Sequence, residues 1–249
     1  MTGRIAVEIC LEDLAGVRTA EAAGADRIEL CAALSEGGIT PSIGTVAAAL
    51  GAVTTMGVNV LVRQRGGDFV FDADELDAMV GDIRAIRGLP NPSGVPLAFV
   101  VGALNPDGTV DLDATRALVD ACGDAPVTFH KAFDQTPDLA AALETLIGLG
   151  VARVLTSGGA PNVIDGEDAL VRLVAQSDGR IAVLAGGGVR PANVAELVRR
   201  TGVTEVHLRA AQTVPSAAAR TSAYDPGTRE TTSSSMVEAV VGAVREAAA

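Results

Sequence analysis

RIELCAALSEGGITPS, residues 27–42, holds the pattern from which the architecture of the chain follows. Arg27-Ile28-Glu29-Leu30 predicts a short buried strand that runs into a polar, glycine-bearing turn, and Thr40-Pro41-Ser42 predicts the start of a helix. Strand, loop and helix follow one another as a single βα unit. Glu29 and Cys31 stand two residues apart at the strand's end, where extended geometry turns both side chains to the same side. The same spacing occurs earlier, at Glu8 and Cys10. Two copies on neighbouring parallel strands predict a paired polar site at the mouth of a barrel.

Working outward, short β-rich runs alternate with amphipathic segments along the whole chain, the pattern of repeated βα units around a parallel sheet. The expected strands are 5–9, 27–30, 59–62, 97–101, 127–129, 153–155, 181–184 and 205–208. The expected helices are 13–23, 42–51, 73–87, 112–122, 138–149, 167–177, 192–201 and 236–247. Eight units in 249 residues match a (β/α)8 TIM barrel, which takes about 250 residues. A single domain over 1–249 is expected, with an irregular loop rich in Ser, Thr, Ala and Pro at 211–235 after the last strand. The first strand leads into Ile9-Cys10-Leu11-Glu12 instead of a glycine fingerprint, which argues against nicotinamide binding.

The composition narrows the function. The chain is 48% hydrophobic with no tryptophan and one tyrosine, so small aliphatic residues must fill the core. Its net charge of −12 repels nucleic acid and anionic membrane surfaces over a Debye length of about 8 Å. Neither is expected as a partner. No run of 18 apolar residues occurs, and Met1-Thr2-Gly3-Arg4 lead into Ile5 without an apolar signal region. The expectation is a soluble, cytoplasmic protein. Three cysteines, Cys10, Cys31 and Cys122, are too few for a disulfide scaffold. Cys122 falls late in a helix pattern and reads as a small buried hydrophobe.

Polar residues at the carboxyl ends of barrel strands mark a site. Here they are Glu8, Cys10, Glu29, Cys31, Arg63, Arg65, Asp68, Thr128, His130, Lys131, Asp134, Thr156, Ser157, His207 and Arg209. By parity, Glu8, Glu29, Arg63, His130 and His207 all point inward near the mouth. A salt-bridged plug, in which Arg63 merely neutralises the two glutamates, is the alternative. Five such residues at one end favour a functional site.

Gly186-Gly187-Gly188, ahead of a helix, offers backbone N–H groups as an anion cradle, with Arg190 and Arg209 able to add charge. Gly158 and Gly159 after Ser157 offer a second, weaker one. Cys10 and Cys31, on strands about 4.8 Å apart, have the reach to share a soft metal ion. Packing as two small buried residues is the other reading, and the spacing alone favours it.

Seven stretches, VEIC (7–10), GADRIELCAALSEGGITPS (25–42), RQRGGDFVF (63–71), VTFHKAFD (127–134), RVLTSGGAP (153–161), GGGV (186–189) and EVH (205–207), resemble the CutC family of copper homeostasis proteins. The resemblance implies a (β/α)8 barrel, a cytoplasmic location, a homo-oligomer, and Cu(I) held by Cys10 and Cys31. Gln64, Lys131 and Ala185 depart from the family's usual proline, arginine and proline, and Leu208-Arg209-Ala210-Ala211 departs from its usual loop.

Two function classes follow. The first is a copper-handling protein with Cu(I) as its ligand. The second is an enzyme acting on a small anionic or phosphorylated metabolite, with Glu8, Glu29, Arg63, Arg65, Asp68, His130, Asp134 and His207 as its catalytic set. In that reading His130 or Glu29 moves the proton and the two arginines hold the anion.

Overall fold

Successive side chains of each strand turn to opposite faces, one toward the barrel interior and one toward the helices, and the fold is organised by that separation. In the computed structural model, which describes residues 4–218 and 220–248, eight short strands pair in chain order and the first closes on the last. They are β1 (Ala6–Leu11), β2 (Arg27–Leu30), β3 (Gly57–Leu61), β4 (Leu97–Val101), β5 (Val127–Phe129), β6 (Arg153–Thr156), β7 (Ala182–Gly186) and β8 (Glu205–Leu208). Every ladder between them is parallel. The expected (β/α)8 barrel is the observed one. Met1, Thr2 and Gly3, expected to lead directly into the first strand, lie outside the described residues, as do Ala219 and Ala249.

The intervening helices are α1 (Leu14–Ala22), α2 (Ile43–Ala52), α3 (Ala73–Arg87), α4 (Leu112–Cys122), α5 (Leu139–Gly148), α6 (Glu167–Ser177), α7 (Val194–Thr201) and α8 (Ser234–Ala248). The first five each start at a side-chain cap. Asp13, Ser42, Asp72, Asp111 and Asp138 accept from backbone N–H groups of the first turn, and Asp72 with Glu75 forms a reciprocal capping box. These caps fix where each helix leaves its loop. The outward strand residues Val7, Ile9, Ile28, Val58, Val60, Phe99, Phe129 and Val154 pack against helix residues such as Val17, Val46, Ile83 and Leu118 in one core.

Two features differ from expectation. β1 runs on to Leu11, because its apolar pattern continues and Leu11 O accepts from Cys31 N at 2.9 Å. Cys10 therefore lies inside a ladder, opposite Glu29. The segment 211–235, expected to be irregular, carries an antiparallel pair, β9 (Ala211–Pro215) and β10 (Thr228–Thr232). Its sequence is polar on both faces, so no hydrophobic alternation announces it. Asp225-Pro226-Gly227, with Gly227 at φ +86°, was its one turn signal. Tyr224, beside that turn, is 98% exposed.

Candidate functional site

Strand register builds the site. Glu8 is paired with Arg27 on one side and His207 on the other, so all three side chains meet inside the barrel. Arg27 Nε donates to Glu8 Oε2 at 2.5 Å, and its Nη2 binds Glu205. Asn59 Nδ2 donates to the same Glu8 oxygen at 2.8 Å, and Arg153 Nε reaches Glu205 at 2.9 Å. Burial works against the Glu8 charge, but Arg27 and His207 outweigh it and hold its carboxyl well below the usual range. The neutralising arginine is thus Arg27, and Arg63 plays no such part. Arg63 stands beyond the end of β3, where its guanidinium binds loop carbonyls instead.

Above this ionic layer, His207 links the two glutamates. Its Nδ1 lies 2.7 Å from Glu8 Oε1 and its Nε2 lies 3.5 Å from Glu29 Oε2. Burial disfavours the imidazolium, yet contacts with Cys10 and Glu8 push the His207 pKa well up. Burial, reinforced by Cys10, pushes the Glu29 carboxyl well up as well. Cys10 and Cys31 sit with their sulfurs 3.8 Å apart. The contact with Cys31 brings the Cys10 thiol down to about 5, and the same contact pushes the Cys31 thiol up. Of the two, Cys10 is the one whose surroundings favour the thiolate. The two also pack with Leu61 and Val100 in a small apolar cluster inside the barrel.

These groups open onto a cavity of about 320 Å³ lined by Cys10, Glu29, Cys31, Arg63, His130 and His207, with Leu34, Leu61, Phe69 and Leu155 as apolar walls. Glu8 lies beneath it, touching it through His207. The ring of His130 is clamped between Phe69 and Phe129, at centroid distances of 4.7 and 5.9 Å. Gly102 permits this, since a Cβ there would stand 2.4 Å from His130 Cε1. Arg63 spends its Nη1 and Nη2 on the carbonyls of Gly38 and Gly67, at 3.0 and 2.6 Å, and its guanidinium covers the Phe69 ring at 4.7 Å.

Other expected site residues stand elsewhere. Arg65 turns away to Glu75, at 2.5 Å, and to Asp68, which is exposed. The chain has left the ladder at Leu61, so strand parity no longer governs either side chain. Asp134 braces a loop: it accepts from the N–H groups of Ser157 and Gly159 at 3.0 and 2.9 Å and pairs with Lys131 at 2.7 Å. Gly158 N donates to Thr156 Oγ1 at 2.8 Å. The Gly158–Gly159 cradle is filled by the chain's own side chains. Gly186, Gly187 and Gly188 do not line the cavity; Lys131 Nζ reaches Gly186 O at 3.3 Å, and Arg209 reaches Glu12 at 3.4 Å. The sequence reading missed Arg27, Asn59, Phe69 and Gly102. Arg27 and Asn59 share the inward parity of Glu29 and Leu61, which was the signal available for them.

Cys10, Glu29 and Cys31 present ligand atoms all within 4.8 Å of one another. Thiolate sulfur suits a soft ion such as Cu(I). Cys122 is remote in role, buried against the helix layer with its thiol pushed up to about 12 by burial.

Comparison with known proteins agrees with the motif reading. A CutC protein from Mesorhizobium japonicum is 50% identical over 210 residues, covering 84% of this chain and 79% of the relative. The human copper homeostasis protein cutC homolog is 42% identical over 207 residues, covering 83% of this chain and 74% of its own length. The crystal structure of a Streptococcus agalactiae CutC protein, 31% identical, superposes with a TM-score of 0.74 over 82% of this chain and 97% of its own. With the CutC family model matching residues 5–212, this chain belongs to the CutC family, the family of the human copper homeostasis protein.

Proposed function

We propose that this protein binds Cu(I) as its cargo through Cys10 and Cys31, in the cytoplasm and as a homo-oligomer, as the family resemblance implies. The observation that carries the copper reading is the pair of sulfurs 3.8 Å apart on the wall of a cavity at the barrel mouth. Two soft donors held by adjacent strands need no rearrangement of the backbone to meet one ion, and the lowering of the Cys10 thiol favours the thiolate form that binds metal. The deciding measurement is an anaerobic titration against a competing Cu(I) chelator. One ion per chain is expected for wild type, none for the Cys10→Ser/Cys31→Ser double variant, and wild-type binding for Cys122→Ser. Unchanged affinity in the double variant would sink the reading.

A second reading is favoured by the His207 and Glu29 pair. An imidazole and a carboxyl, both pushed toward their protonated forms and 3.5 Å apart at the cavity, form a proton-transfer site. A thiol-bound cargo has no use for it. In this reading the cavity receives a small anionic metabolite, and Glu29 or His207 moves a proton on it.

A further inference from the structure

The cavity wall opposite in chemistry to the thiols is formed by Arg63, after β3, and His130, after β5. Each residue is only 5% exposed, and each keeps one buried N–H group without a protein partner, Arg63 Nε and His130 Nε2. Among the described residues no carboxylate lies within salt-bridge distance of Arg63, whereas Arg27 in the layer below holds two. Carbonyl oxygens engage the Arg63 fork without neutralising it. A buried cation without a counter-charge is costly, so a charge of opposite sign is the missing partner.

The tautomer of His130 follows from its neighbour. Ala132 N donates to Nδ1 at 3.2 Å, so the ring's proton is on Nε2, and that atom is a donor. Burial and the nearby Arg63 bring the His130 pKa down to about 3, so the ring is neutral. Both residues line the cavity with these two N–H groups just beneath its surface, so a small side-chain shift brings either donor to the wall, and two such donors call for an acceptor oxygen. The volume is at the small end for ligand pockets, about 300–1,000 Å³, and Leu34, Leu61, Phe69 and Leu155 favour an apolar body. Of the other basic groups on the cavity, Lys131 is already engaged by Asp134, Ser157 and Gly186, and His207 by Glu8. One uncompensated positive charge matches a monoanion better than a phosphate dianion.

We propose that this wall binds the carboxylate of a small organic acid with an apolar body, whose oxygens accept from Arg63 and from His130 Nε2–H. This deepens the metabolite reading above by naming the class of its ligand, and it is independent of copper.

The test uses metal-free, reduced full-length protein, with butyrate and benzoate as probes and inorganic phosphate as comparator, followed by calorimetry and thermal unfolding. Benzoate or butyrate should bind and raise the unfolding midpoint, and phosphate should not. Arg63→Lys and His130→Gln should each weaken binding about tenfold or more, the loss expected for one hydrogen bond to a charged group. Because Arg63 also pins two turns, a measurement on wild type stands beside the variants: the Nε2–H resonance of ¹⁵N-labelled His130 should shift on adding benzoate. No carboxylate binding, preferential phosphate binding, or an unmoved His130 resonance overturns the proposal. Carboxylate binding in protein that catalyses no proton exchange on any bound acid keeps the recognition and discards only the enzyme reading.

Discussion

Two guanidinium groups inside one barrel meet opposite fates, and the difference is the clearest lesson at the scale of the residue. Arg27 is ringed by Glu8 and Glu205, and removing it takes a cationic partner from each of two carboxylates inside the barrel, leaving Glu8 to His207 and Asn59 and Glu205 to Arg153. Arg27→Met should therefore cost about 3–5 kcal/mol, the range for breaking a buried ion pair on one side. Urea unfolding of wild type and variant measures it; a loss under about 1 kcal/mol would mean water already screens the layer. Glu8, Glu29 and His207 were readable from the sequence because a period of two is enforced wherever a strand is paired on both edges. Arg65 and Asp68 were not, since beyond Leu61 the backbone follows a turn and alternate residues no longer share a face. The role of Arg27 was hidden for another reason: parity gives the face of a side chain, and which of two inward arginines a glutamate takes depends on depth across neighbouring strands.

At the scale of elements, strands and helices were legible to within a few residues, and the first five helices advertise their starts with capping side chains. Asp72 with Glu75 is one such signature. The hairpin β9–β10 was not legible, because Thr228–Thr232 is half exposed and has no apolar face to imprint on the sequence. Its anchorage lies instead in contacts with α1, where Asp13, the cap of that helix, also receives Thr232 Oγ1 at 3.3 Å. A second inter-element tie is Glu21, at the end of α1, whose Oε1 accepts from the N–H groups of Thr54, Thr55 and Met56 ahead of β3 at 2.8, 2.8 and 3.1 Å. Burial alone would raise its pKa, but these donors bring it down to about 2. A carboxyl with a depressed folded pKa stabilises above its ordinary range and loses that contribution as pH falls through the folded value. Glu21→Gln should cost about 1 kcal/mol at pH 7, and the gap from wild type should narrow between about pH 4.5 and about pH 2. A gap independent of pH, followed by denaturant unfolding, would show that the charge is irrelevant to the tie.

At the scale of the molecule, closure of the barrel was legible from the count of βα units and the length of the chain, which together leave little room for an open sheet. The chain lacks tryptophan, and its one tyrosine is at the hairpin rather than in the barrel. The consequence is optical. Nearly all the intrinsic emission comes from a fluorophore already bathed in solvent, so cooperative loss of the core on heating should leave the emission beyond its ordinary thermal decline, while ellipticity collapses. The same isolation makes Tyr224 a reporter for anything that covers the hairpin, and leaves the ultraviolet window near the metal–thiolate bands almost free of protein background.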